Sequence, residues 1–127
     1  MNALSDCLAE TVRGVKTPRE FGYALSDFVD RFNHAPDSRL VADEPASLTG
    51  RFADEGLADA YLASAAAWLC RTHQLPVPLW ARGAARALEH PWFAAKTPKL
   101  KTLLLQDSPA EFRVRNLFVS ADALVRV

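Results

Sequence analysis

The chain is short of the residue types that most cheaply build chemistry. Its 127 residues include two cysteines, three histidines, one methionine and five glycines, and the formal net charge is zero. Cys7 and Cys70 stand far apart without framework spacing, which excludes a disulfide scaffold and fits two small buried thiols in a reducing cytoplasm. The glycines (14, 22, 50, 56 and 83) are scattered singly, so no glycine-rich loop exists to cradle a phosphate, and nucleotide binding has no support. Long apolar runs are missing as well. The best candidate, Leu57 to Leu69, is interrupted by Asp59 and Ser64 and falls short of the roughly 18 residues a membrane span requires. Asp6 and Glu10 break any signal-like run near the amino terminus. The expectation is a cytoplasmic protein with no membrane association.

Half of the chain is apolar, enough to bury a core without help from metal or disulfide, and its length suits one domain over residues 1–127. The zero net charge argues against a strongly electrostatic nucleic-acid binder, yet it hides a division. Residues 1–70 carry eleven acids against six bases, a local −5, whereas residues 71–127 carry nine bases against four acids, a local +5. The two halves attract each other within one fold or present two faces to a charged partner.

Helical periodicity and punctuation dominate the rest. A short amphipathic helix is expected from Leu4 to Val12, with Gly14 as its stop. Thr17-Pro18-Arg19-Glu20 reads as a capping box, followed by Phe21, Leu25, Phe28 and Phe32 at helical spacing, and Pro36 closes that helix. Residues 35–50 read as a connection with one helical turn about Leu40. Leu57, Tyr61, Ala65, Trp68 and Leu69 form the stripe of an alanine-rich central helix ending near His73. Pro76 and Pro78 force a turn, after which a helix is expected from Leu79 to Leu88 and a corner at His90-Pro91-Trp92-Phe93. Lys96 to Lys101 form a basic patch, and Leu100, Leu103, Leu104 and Leu105 supply a last apolar segment. Ser108-Pro109-Ala110-Glu111 reads as another capping box, opening a helix that carries Phe112, Arg113, Arg115, Asn116 and Phe118, although 113–119 could also be extended. The predicted fold class is all-α, a single compact domain of five to seven short helices.

No catalytic signature stands out. Cys70 and His73 form half of a zinc site, but only Cys7, His34 and His90 are left to complete it, none of them paired, so no metal is expected. Arg86 four residues before His90 has a nuclease-like look, but Pro91 places His90 at a helix end. The carboxylate pairs Asp27/Asp30, Asp43/Glu44 and Asp54/Glu55 read as solvated faces or first turns of helices. Arginines beside aromatics remain, the composition of interface hot spots. Trp92, Arg113, Arg115, Asn116 and Phe118 are therefore the candidate partner-binding residues.

Taken with Asp59 to Ala63, Leu75-Pro76-x-Pro78-x-Trp80, Pro91-Trp92-Phe93 and the run Ser108 to Ser120, the Phe21 to Phe32 pattern resembles an uncharacterised bacterial all-helical family. That family is found stand-alone or after helix-turn-helix domains in toxin–antitoxin-type operons. The resemblance implies an antitoxin-like module and carries over no catalytic residue. The chain has no recognisable helix-turn-helix ahead of Phe21, so the resemblance does not extend to operator binding. The function expected is non-catalytic sequestration of a partner protein, a toxin encoded nearby, with no cofactor and with a homodimer left open. Two alternatives stand beside it: a small nuclease or hydrolase using His90 or His73, and a nucleic-acid-binding regulator using Lys96, Lys99, Lys101, Arg113 and Arg115.

Overall fold

Thr17 begins the first long helix as its sequence predicts. In the computed structural model, which describes residues 7–51, 56–121 and 124, the Thr17 hydroxyl accepts the Glu20 N–H at 3.1 Å, and Glu20 Oε1 accepts the Lys16 N–H at 2.8 Å. This reciprocal cap opens α2 (Pro18–His34), which buries Leu25, Phe28, Val29 and Phe32. Ahead of it lies α1 (Leu8–Arg13), packed on α2 through Leu8 and Val12. The predicted residues Leu4 to Asp6, Asp54, Glu55, Asp122 and Ala123 lie outside the described part.

The central helix is α3 (Leu57–Thr72), and eleven of its sixteen residues are buried. Six of these are alanines (58, 60, 63, 65, 66 and 67), whose small side chains let neighbouring elements close on it from several sides. It ends in a Schellman motif: the Leu75 N–H reaches the Cys70 carbonyl at 2.8 Å and the Gln74 N–H reaches Arg71 at 3.2 Å. Gln74 takes the left-handed conformation there, φ 59°, a place glycine usually fills.

Beyond α3 the structure departs from the predicted helix over 79–88. Only a 3₁₀ turn forms, Leu79–Ala81, and successive turns follow, with Gly83 and Arg86 left-handed at φ 56° and 61°. The chain then runs into β1 (Trp92–Phe93), passes through α4 (Pro98–Asp107) and α5 (Ala110–Arg113), and enters β2 (Leu117–Phe118). The two strands pair in parallel, Trp92 opposite Leu117 and Phe93 opposite Phe118. The all-α expectation is thereby corrected. The fold is mostly helical, with five α-helices and one two-stranded sheet among the described residues. The reason is Asn116, whose left-handed backbone (φ 66°) reverses the chain after α5 and delivers it extended beside β1. One apolar cluster joins α1, α2, α3, α5 and β2.

Candidate partner-binding site

Arg115, a candidate binding residue by sequence, is inside. Arg115 is 1% exposed, and its guanidinium donates to three main-chain carbonyls: Ala81 at 2.5 Å, Ala85 at 2.6 Å and Glu111 at 2.7 Å. This arrangement also accounts for the missing helix at 79–88. A helix would direct the Ala81 carbonyl to the Ala85 N–H, but that N–H bonds Arg82 instead, leaving the Ala81 oxygen to Arg115. Arg115 is thus removed from the binding set, because its fork is consumed in satisfying buried carbonyls. Arg115 sits in the turn beyond α5 (Ala110–Arg113), where its N–H bonds the Phe112 carbonyl at 3.0 Å, so no helical face signals its direction.

Phe118 is likewise withdrawn. It is 8% exposed and stacks on Phe93, ring centroids 4.7 Å apart and planes within 17°. Asn116 is half-buried and donates its side-chain N–H to the Leu88 carbonyl at 2.8 Å, so its amide closes a loop. Arg113 stays exposed, with one guanidinium nitrogen on the Ser108 carbonyl at 2.7 Å. Trp92 is 38% exposed and borders a cavity of about 520 Å³ with Thr49, Leu57, Leu88, Glu89, His90 and Pro91. Ser108 does not act as the predicted cap. Its buried hydroxyl shares its one proton between the Leu104 carbonyl at 2.6 Å and the Val119 carbonyl at 3.0 Å and accepts the Val119 N–H, tying the end of α4 to the residue after β2.

The histidines divide by environment. His73 Nε2 faces the Asn33 amide oxygen at 2.7 Å, and its ring lies 5.7 Å from Phe32, so it joins the ends of α2 and α3. His90 has no carboxylate within hydrogen-bond distance among the described residues. Burial pushes the Cys70 thiol up, away from the thiolate form that a nucleophile or metal ligand needs. Among the described residues, no three histidine, cysteine, aspartate or glutamate side chains converge as a metal site.

Three groupings were not foreseen from the sequence. The first is an acid network. Asp59, in the first turn of α3, accepts the Leu48 N–H at 2.7 Å and the Ser47 and Thr49 hydroxyls at 2.6 and 2.9 Å, and Arg86 lies 3.5 Å away. Burial alone would raise its carboxyl, but these donors and the nearby cation outweigh it and hold the group below the ordinary carboxylate value. Arg86 extends the network to Glu44 at 3.0 Å and to the Pro45 carbonyl, and lies over the Trp80 ring at 5.3 Å. The second is α4 itself. Thr97 caps it, accepting the Leu100 N–H at 3.2 Å, yet none of its residues is buried. Leu100, Leu103 and Leu105 remain 46–49% exposed, and exposed Lys99 and Lys101 stand on the same helix.

The third is a groove of about 580 Å³ between the end of α3, the 74–83 connection and α5. Ala67, Leu75, Val77, Ala81 and Val114 supply apolar surface, and Arg71, Arg82, Glu111 and Arg115 supply charge. Arg71 forms a two-pronged ion pair with Glu111. Arg82 is fixed at its base by Nε donating to the Val77 carbonyl at 2.8 Å, and no carboxylate partners it among the described residues. With this geometry in hand, comparison with known proteins finds no match to any family model, any curated protein or any solved structure.

Proposed function

We propose that the chain is a non-catalytic, antitoxin-like protein-binding module that occludes a partner protein, the product of a neighbouring gene. One observation carries this reading: α4 is a capped helix whose leucines face solvent. A ten-residue helix is marginal by itself, and covering half-exposed leucines is worth about 1 kcal/mol each. The lysines on the same helix favour a partner with an acidic rim and disfavour pairing of α4 with its own copy.

Trp92 and Arg113 remain the members of the original set with surface to offer, now joined by Leu100, Leu103 and Leu105. Occlusion needs about 800 Å² per side and a few hot spots, and no bond-making. A cytoplasmic setting belongs to the same proposal. No described helix is long and apolar enough to cross a membrane.

Co-expression with the untagged neighbouring gene product tests it. The two chains are expected to co-purify, and Leu103→Glu is expected to weaken their association at least about tenfold in calorimetry, as loss of a hot spot does. A wild-type chain that gives no heat with that product and elutes alone would overturn the proposal.

A further inference from the structure

We infer that the groove between α3, the 74–83 connection and α5 is the pocket that takes an apolar side chain together with an adjacent carboxylate from the partner's chain. The inference rests on the protein-binding reading above. Charge complementarity supports this occupant. Three guanidinium groups, Arg71, Arg82 and Arg115, line the groove against a single carboxylate, Glu111, which is already paired with Arg71. Arg115 meets the dipoles of three carbonyls and shares the same Glu111 carboxylate at longer range. The groove therefore lacks an anion.

Arg82 is placed to meet it. Its Nε is spent on the Val77 carbonyl, which holds the guanidinium plane at the groove while leaving both terminal nitrogens for a carboxylate, the fork geometry in which arginine binds best. The rest of the lining is apolar, and Val114 is 51% exposed beside it, so a carboxylate arriving there would bring an apolar neighbour to cover that surface. The groove is wide and open along the surface, which suits a segment of polypeptide better than an enclosed small acid.

The test is an NMR titration of the ¹⁵N-labelled full chain with the blocked peptide Ac-Glu-Leu-Leu-Glu-Leu-amide, its glutamine counterpart and hexanoate. The glutamate peptide is expected to move the amides of Gln74, Gly83 and Val114, and the glutamine peptide to bind about tenfold more weakly, as loss of one charge-assisted pair implies. Arg82→Gln should abolish that discrimination and Val114→Glu should block binding. Both positions are at the surface, so an unchanged spectrum of each free variant verifies the fold. Equal binding of the two peptides, shifts confined to α4, or no shifts would overturn the inference, and hexanoate reproducing the full effect would overturn its assignment to a partner chain. Co-purification with the neighbouring product that survives both substitutions would remove the groove while leaving the binding-module proposal intact.

Discussion

Arg115 shows how one side chain can decide the path of ten others. Its three carbonyl partners come from the 3₁₀ turn at Ala81, from the turn at Ala85 and from α5, so three segments converge on one planar cation. Burial lowers its pKa from the ordinary arginine value, which measures the cost of holding a charge there, while the nearby Glu111 acts in the opposite direction. Removing the fork strands one buried and two part-buried carbonyls. Arg115→Met is therefore expected to destabilise the fold by roughly 3–5 kcal/mol. Arg115→Lys is expected to recover less than half of that, because a single ammonium cannot span the three acceptors. Urea unfolding of the three proteins checks this, and a lysine variant as stable as the wild type would refute the geometric argument. At this scale the sequence disclosed the residue types but not their direction: arginine beside aromatics has the same composition in a hot spot and in a buried fork.

Elements whose ends are marked by local chemistry were legible. Thr17-Pro18-x-Glu20 and the stripe Leu25, Phe28 and Phe32 defined α2 because a cap and a helical period depend only on near neighbours. The stretch 79–88 was not legible, since its carbonyls are claimed by Arg115, some thirty residues away. The Thr97-Pro98 cap of α4 carries the same kind of local signal as Thr17-Pro18, but Lys96, Lys99 and Lys101 around it mask the helix as a basic patch. The end of α3 gives the prediction for this scale. Gln74 occupies the left-handed position of the Schellman motif with a side chain that the conformation disfavours. Gln74→Gly is expected to raise stability by about 0.5–1 kcal/mol, as relief of left-handed strain outweighs the added freedom of the unfolded chain. A thermal midpoint at or below that of the wild type would contradict this.

Across the whole molecule, the two oppositely charged halves are stitched together by Arg86, which reaches back to Glu44 and Asp59. This bears out attraction within one fold at one place, while Lys99 on α4 and Arg82 at the groove stay exposed and meet no carboxylate among the described residues. The stitch also makes stability depend on pH. Asp59 has its folded pKa below the ordinary 3.8, so its contribution is fully present above that value and is lost as pH falls through the lower folded one. Asp59→Asn is expected to cost roughly 2–3 kcal/mol near neutral pH, with the gap to the wild type narrowing below pH 3.8. Denaturant midpoints measured at stepped pH decide it, and a gap that stays constant into acid would show that the carboxylate's charge is not what the network uses.

By itself, the sequence determined the helical class, the two best-packed helices and the lack of any span long enough for a membrane, since these follow from spacing and punctuation within a few residues. Only the tertiary structure decided which polar groups face inward. Arg115 finds two of its three partners thirty and thirty-four residues away, and Asp59 and Arg86 find theirs ten to forty-two residues away, where no local period can point. The same burial left the leucines of α4 and the guanidinium of Arg82 outside, because the core was already closed by other residues.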